Sequence, residues 1–338
     1  MDLNITWFIL YGVLITGYAI LDGFDLGVGV IHLFTKNETE KRININSIAP
    51  VWDGNEVWLL TAGGALFAAF PIVYATVFSA FYMALMLLLL FLIMRAVSME
   101  FRGKIESSRW KKIWDISFGL GSLFPAILFG VAVGNILRGI PLNAKGIFTG
   151  NFFTLLNPYS ILIGILSLVM FTLHGSIYLA MKTENDHQKK ILNIIPKLWI
   201  AFVSIFFLAT IYSFFEAGFL FEGILGNPLF WIAFIILFIA IMSIPIMVKS
   251  KRLGWAFLSS AVSISGMISI AAISLFPRLV PSLTDLSYSL TIYNSSSTHR
   301  TLFTMLIIAL IGVPIVLIYT IFIYRKFKGK VELNEYSY

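Results

Sequence analysis

Cysteine does not occur in the 338 residues. That removes disulfide scaffolds, cysteine-ligated iron–sulfur clusters and covalent c-type haem attachment. Charge is nearly as scarce. Asp, Glu, Lys and Arg make up 12% of the chain, half the roughly 25% of an ordinary soluble domain. Histidine is limited to four residues, and neither a Walker motif nor an internal repeat is found. What is abundant is apolar: 59% of residues are hydrophobic and 31 are Phe. One soluble core of this size cannot hide that much apolar surface, so a soluble enzyme and a disordered chain are both excluded. The composition is that of an all-α polytopic membrane protein.

A helix of about 20 apolar residues spans a bilayer. Nine such runs are read: 6–33, 53–70, 73–94, 116–137, 159–181, 198–220, 229–248, 254–277 and 301–324. They make a single integral membrane domain over 1–338. The stretch 51–94 is about twice one span, so a tight turn is expected at Phe70-Pro71-Ile72. The first run is not a signal peptide: it lacks a basic leader, is too long and contains carboxylates.

The basic residues choose the orientation. The segments 34–52, 95–115, 182–197 and 249–253 and the C-terminal tail hold 20 Lys and Arg, against four (Arg138, Lys145, Arg278 and Arg300) on the other side. This asymmetry places the N-terminus outside and the C-terminus in the cytoplasm. It also accounts for the net charge of +7 without a nucleic-acid partner. The eight Trp fall near span ends or in segment 95–115, as interfacial anchors do. That segment, with Trp110, Ile113 and Trp114 among basic neighbours, is expected to lie on the cytoplasmic surface as an amphipathic turn or helix.

Charges inside the spans need a reason. Asp22 and Asp25, in Leu21-Asp22-Gly23-Phe24-Asp25-Leu26-Gly27-Val28-Gly29, share one helical face. Each would cost about 2.5–3.5 kcal/mol on insertion scales unless protonated, hydrated or paired. Asp53 and Glu56 open the second span, in Pro50-Val51-Trp52-Asp53-Gly54-Asn55-Glu56-Val57-Trp58, at similar depth. Four carboxylates on consecutive helices suggest a hydrated site whose members share protons, as a proton path requires. The plainer reading of Asp53 and Glu56 is a headgroup-level helix start. Gly23-x-x-x-Gly27 and Gly130-x-x-x-Gly134 read as close helix-packing faces. His174, the one plainly intramembrane histidine, reads as a hydrogen-bonded interior residue rather than a haem ligand. Glu216 and Glu222 read as solvated residues at the end of the sixth span. The residues alone leave two functions open: a proton-coupled secondary transporter using these carboxylates, or a structural partner whose acids bond across an interface.

Several segments resemble one family. They are the two blocks just quoted, the second extended back to Asn46-Ser47-Ile48-Ala49, and Thr61-Ala62-Gly63-Gly64-Ala65-Leu66-Phe67-Ala68-Ala69-Phe70-Pro71. Further matches are Phe101-Arg102 through Trp114-Asp115, Gly130 to Asn135, Gly150-Asn151-Phe152-Phe153 through Asn157-Pro158, and Asn294-Ser295-Ser296-Ser297. Together they resemble subunit II of the cytochrome bd quinol oxidases over essentially the whole chain. The resemblance implies two four-helix bundles plus one peripheral helix, paired with subunit I in a bacterial cytoplasmic membrane. It implies that subunit I carries haems b558, b595 and d and the quinol site, and that this chain ligates no haem or metal and is not catalytic alone. The complex would oxidise quinol, reduce dioxygen to water and take protons from the cytoplasm. Asp22, Asp25 and Asp53 match the family's proton-path acids, and Glu56 joins them by position. A quinone is implied near Trp52-Asp53, with Trp52 as contact. Membrane lipids and a small accessory subunit are further expected partners. Two departures stand out: family members often carry Gln at the position of Glu56, and the segment Phe221 to Pro228 is short.

Overall fold

A computed structural model describes residues 2–333. Its helices are α1 (Leu3–Phe34), α2 (Glu38–Ile48), α3 (Trp52–Ala69), α4 (Pro71–Ala80), α5 (Tyr82–Phe101), α6 (Ser108–Arg138), α7 (Pro158–Lys182), α8 (Asn185–Glu216), α9 (Pro228–Lys249), α10 (Leu253–Leu275) and α11 (His299–Lys326). A two-stranded antiparallel pair, β1 (Arg278–Val280) and β2 (Leu290–Thr291), lies between α10 and α11. α1 is the hub: it packs on α3, α6, α7 and α10.

Eight of the described helices are long and apolar enough to cross a membrane. The expected span 53–70 is the exception to that measure. It forms α3, helical over 18 residues, but Asp53, Asn55 and Glu56 in its first turns dilute its apolar character. The tight turn falls where expected, with Phe70 ending α3 and Pro71 opening α4. The expected span 73–94 changes in shape. It bends at Phe81 while backbone bonding carries through, Phe81 N–H to Val77 O at 2.9 Å and Leu85 N–H to Phe81 O at 2.8 Å. The helix then runs on to Phe101.

That extension corrects the reading of segment 95–115. The segment's one separate element is a single 3-10 turn, Arg102–Lys104. Residues 95–101 belong to α5 and 108–115 to α6, leaving a short link tied by Trp110 Nε1–H to Phe101 O at 2.8 Å. The cause is the continuing pattern Ala96-Val97-Ser98-Met99, whose Ser98 and Met99 are buried. α8 likewise begins at Asn185, well before the expected 198, and ends at Glu216. Segment 34–52, read as a connection, holds α2, capped by the Asn37 side chain on Glu40 N–H.

Close helix contacts come from glycine where a Cβ has no room. A Cβ on Gly27 would overlap the Phe171 carbonyl and Gly175 of α7, and one on Gly121 would press on the α5 backbone at Phe91 and Arg95. Gly23, Gly130 and Gly134 also face α7 at short range, as the glycine spacing predicts. α11 is peripheral: Leu302 is its one buried residue, and its attachments include Trp7 Nε1–H to Leu302 O and Tyr324 O–H to Asn55 Oδ1. The helix ends opposite the lysine-rich end are covered by the two longest loops together, with Ile140 N–H bonded to Pro281 O and Leu283 N–H to Ile140 O. Glu216 is not merely solvated: it accepts from Arg138 Nε at 2.7 Å.

At the lysine-rich end, α2 is clamped to the bundle. Asp115 of α6 accepts from Arg102 Nε at 2.5 Å and Lys41 Nζ at 2.7 Å, and pairs with His32 Nε2 at 2.8 Å. Arg102 reaches on to Glu38 at 2.9 Å. Removing a partner from a buried ion group costs about 3–5 kcal/mol, because the remaining charges stay buried. Asp115→Asn should therefore lower the melting temperature of the purified protein by several degrees. An unchanged melt would mean the clamp adds nothing to stability.

Candidate functional site

The site is assembled from three helices that meet about α1. α1 brings Asp22 and Asp25 one turn apart, and both are fully buried. α3 brings Glu56 and Asn55, and α5 brings Arg95, itself fully buried. Gly121 of α6 lets α5 approach closely enough to seat Arg95 there.

One guanidinium nitrogen serves two carboxylates. Arg95 Nη2 carries two hydrogens and donates to Asp22 Oδ1 at 2.6 Å and to Glu56 Oε1 at 2.5 Å. Tyr18 O–H donates to the other oxygen of Asp22 at 2.8 Å. Asp25 stands apart from the arginine. Its Oδ2 accepts from Asn55 Nδ2 at 2.7 Å, and Asn55 also donates to Leu21 O at 3.2 Å. Tyr324 of α11 donates to Asn55 Oδ1 at 3.0 Å. Three buried polar atoms of these cluster residues have no hydrogen-bond partner: Asp25 Oδ1, Arg95 Nε and Arg95 Nη1. Such atoms commonly bind internal water.

The four predicted acids therefore divide. Asp22, Asp25 and Glu56 come together, with the Glu56 side chain still 25% exposed. Asp53 is exposed in the first turn of α3 and takes no part in the cluster's hydrogen bonds. It lies three residues before Glu56, on the same side of the helix. Trp52 is half-buried against the main core.

Arg95 is the residue the sequence reading misplaced, as a loop cation setting topology. Asn55, Tyr18 and Tyr324 went unread. A signal for Arg95 does exist: three intramembrane carboxylates call for a cation, and Arg95 is a basic residue flanked by apolar sequence on both sides, Leu92-Ile93-Met94 and Ala96-Val97.

His174, the histidine inside a span, does not suit an axial haem ligand, because both of its ring nitrogens are engaged. His174 Nδ1 meets Ser260 Oγ at 2.6 Å and its Nε2 meets Ile20 O at 3.1 Å, with the ring stacked on Phe257. The Nε2 atoms of His32 and His187 are held by Asp115 and Asn44. His299 is exposed at the start of α11. Among the described residues, no group of three His, Cys, Asp or Glu could hold a metal ion.

Comparison with known proteins gives a consistent answer. Residues 3–327 match the family model described as cytochrome bd terminal oxidase subunit II. The chain is 38% identical to the probable cytochrome oxidase subunit 2 of Haemophilus influenzae, over 98% of this chain and 96% of that one. It is 37% identical to the cytochrome bd-I ubiquinol oxidase subunit 2 of Escherichia coli K12, over the same shares. It is 36% identical to the cytochrome bd ubiquinol oxidase subunit 2 of Bacillus subtilis, over 99% and 98%. The fold matches a chain in the structure of bd oxidase from Geobacillus thermodenitrificans with a TM-score of 0.80 at 16% identity, covering 97% of this chain and 99% of that one. With its helices, its buried ion cluster and these full-length likenesses, the chain belongs to the cytochrome bd terminal oxidase subunit II family of multi-pass bacterial membrane proteins.

Proposed function

We propose that this chain is the non-haem partner in a quinol-oxidising, dioxygen-reducing complex, and that its α1–α3–α5 cluster relays protons taken up from the cytoplasm. α3 is then the ninth membrane crossing, the lysine-rich end faces the cytoplasm and the N-terminus faces outward. Subunit I carries the haems b558, b595 and d, which supply the electron transfer and oxygen chemistry.

The observation that carries the relay is the charge balance of the cluster. One guanidinium faces three carboxylates. An uncompensated buried charge costs several kcal/mol, so the group as a whole holds protons in addition to Arg95. The partly exposed Glu56 and the exposed Asp53 give those protons a route to water, and the unpartnered oxygen of Asp25 gives them an inner acceptor. Gln at position 56 would keep the Arg95 contact, because an amide oxygen accepts the same hydrogen bond. The acid in this chain adds one exchangeable site. The engagement of both His174 ring nitrogens supports placing the haems in the partner, and the half-buried Trp52 ring supports a quinone contact at the start of α3.

The division of labour has a direct test. The tagged chain, purified from its own membranes, should bring down a larger haem protein with b- and d-type optical bands. Expressed alone, it should carry haem well below one equivalent. A stoichiometric haem on the isolated chain would sink this assignment.

A further inference from the structure

A cavity of about 660 Å³ opens at the lysine-rich end, between the start of α8 and the α9–α10 turn. It lies away from the ion cluster and has no role in the proton relay. Its charged lining is of one sign: Lys189, Lys251 and Lys330, with no carboxylate among them. The floor is apolar, with Met181 and Leu192, and Asn185 adds an amide. The tail forms one wall. Lys330 Nζ donates to Thr183 O at 2.6 Å and Val331 N–H to Lys182 O at 2.9 Å, so residues after α11 are strapped across the end of α7.

The backbone around this cavity is unusual. Among the described residues, the non-glycine positions with left-handed φ are Asn185 (φ 54°) and Lys251 (φ 58°), and both line it. Such positions normally fall to glycine. Lys251 ends α9 in this conformation, with its N–H on Val248 O and the next N–H on Met247 O. A lysine kept there puts an ammonium at the cavity mouth where a glycine would fold more easily. Lys189 also pairs with Asp186 at 3.1 Å, both side chains being largely exposed. Beyond the rim, Trp255, Leu258 and Ile246 are exposed apolar residues on α9 and α10, a surface suited to acyl chains.

We propose that this cavity binds the phosphodiester headgroup of an anionic phospholipid of the cytoplasmic leaflet. Three ammonium groups meet the phosphate, and the acyl chains run along the exposed faces of α9 and α10. A basic recess at a helix-bundle end, continuous with lipid-facing surface, has the charge and shape for that ligand. The cytoplasmic side rests on the orientation proposed above, but binding can be read without it, because a nanodisc offers the same lipid in both leaflets.

The test uses the purified complex in phosphatidylcholine nanodiscs, with added phosphatidylglycerol counted by native mass spectrometry. Lys189→Gln with Lys251→Gln should weaken phosphatidylglycerol retention about 30-fold, the loss expected of two lysines near an anionic ligand. The exposed positions leave the fold intact, checked by an unchanged melt in phosphatidylcholine alone. Lys189→Arg with Lys251→Arg should retain binding within about threefold. Lys104→Gln with Lys112→Gln, two exposed lysines elsewhere at the same end, should leave it unchanged. The proposal is overturned if the cavity double variant binds as the parent does, or if the distant pair loses as much, which would mean a diffuse field. It is also overturned if millimolar inorganic phosphate displaces the lipid, which would make this a free-anion site.

Discussion

Replacing Arg95 by methionine should prevent assembly of the complex. Arg95 is completely buried and its Nη2 is the donor to both Asp22 and Glu56. Methionine fills much of the volume but leaves Asp22 buried with Tyr18 as its remaining hydrogen-bond donor. Breaking a buried ion group from one side costs about 3–5 kcal/mol, against a total stability of about 5–15 kcal/mol for a typical native protein. The yield of haem-bearing complex recovered with the tagged chain should fall at least tenfold, and what remains should melt at lower temperature.

The cause can be isolated. Adding Asp22→Asn and Glu56→Gln to Arg95→Met removes the stranded charges and should restore much of the yield, since an apolar or neutral replacement of a whole buried ion group is often tolerated. Arg95→Lys should do worse than its charge suggests. The lysine ammonium sits on a shorter, flexible stem and falls short of the Nη2 position from which one nitrogen serves both carboxylates. If Arg95→Met alone assembled and melted like the parent, the cluster would have no structural role.

How far the sequence reveals all this differs by element. The apolar runs locate the main helices because lipid imposes a length and a composition on each. The turn at Phe70-Pro71 is visible because proline opens a helix but cannot continue one. The helix ends are not visible in the same way. Ser108 to Trp114 include three basic residues, yet they extend α6 beyond the apolar stretch, because backbone bonding continues wherever nothing stops it. The same effect hid Arg95. Read by hydropathy, it begins the connection after span 73–94; read by backbone, it sits in the last two turns of α5. Its partner carboxylates lie 73 and 39 residues away in the chain, a separation that no local pattern reports. The glycine contacts were legible because small residues at four-residue spacing have one common use between membrane helices. The partition of the four acids was not. Asp53 and Glu56 occupy the same helical side, and only the position of α5 decides that the second is drawn into the cluster while the first stays in the open.

That partition sets the last expected result. Asp25→Asn should leave the haem content of the complex near normal and cut oxygen consumption with quinol about 100-fold. The asparagine oxygen still accepts from Asn55 Nδ2, as Asp25 Oδ2 does at 2.7 Å, so the hydrogen bond to α3 survives. The substitution also takes an acid out of a fully buried place, and the net cost to stability should be about 1 kcal/mol or less. What is lost is the carboxyl's capacity to take and release a proton at an oxygen with no hydrogen-bond partner. Losing a positioned proton donor or acceptor typically costs about 10²–10⁴ in rate. Asp53→Asn should have a smaller effect, about tenfold or less, because water reaches the partly exposed Glu56 without it. Oxygen uptake per haem, measured on both purified variants, separates the two positions. Full turnover in an intact Asp25→Asn complex would remove the cluster from the proton route and leave it as a structural ion group centred on Arg95. A loss of haem in proportion to the loss of turnover would say the same of Asp25 itself.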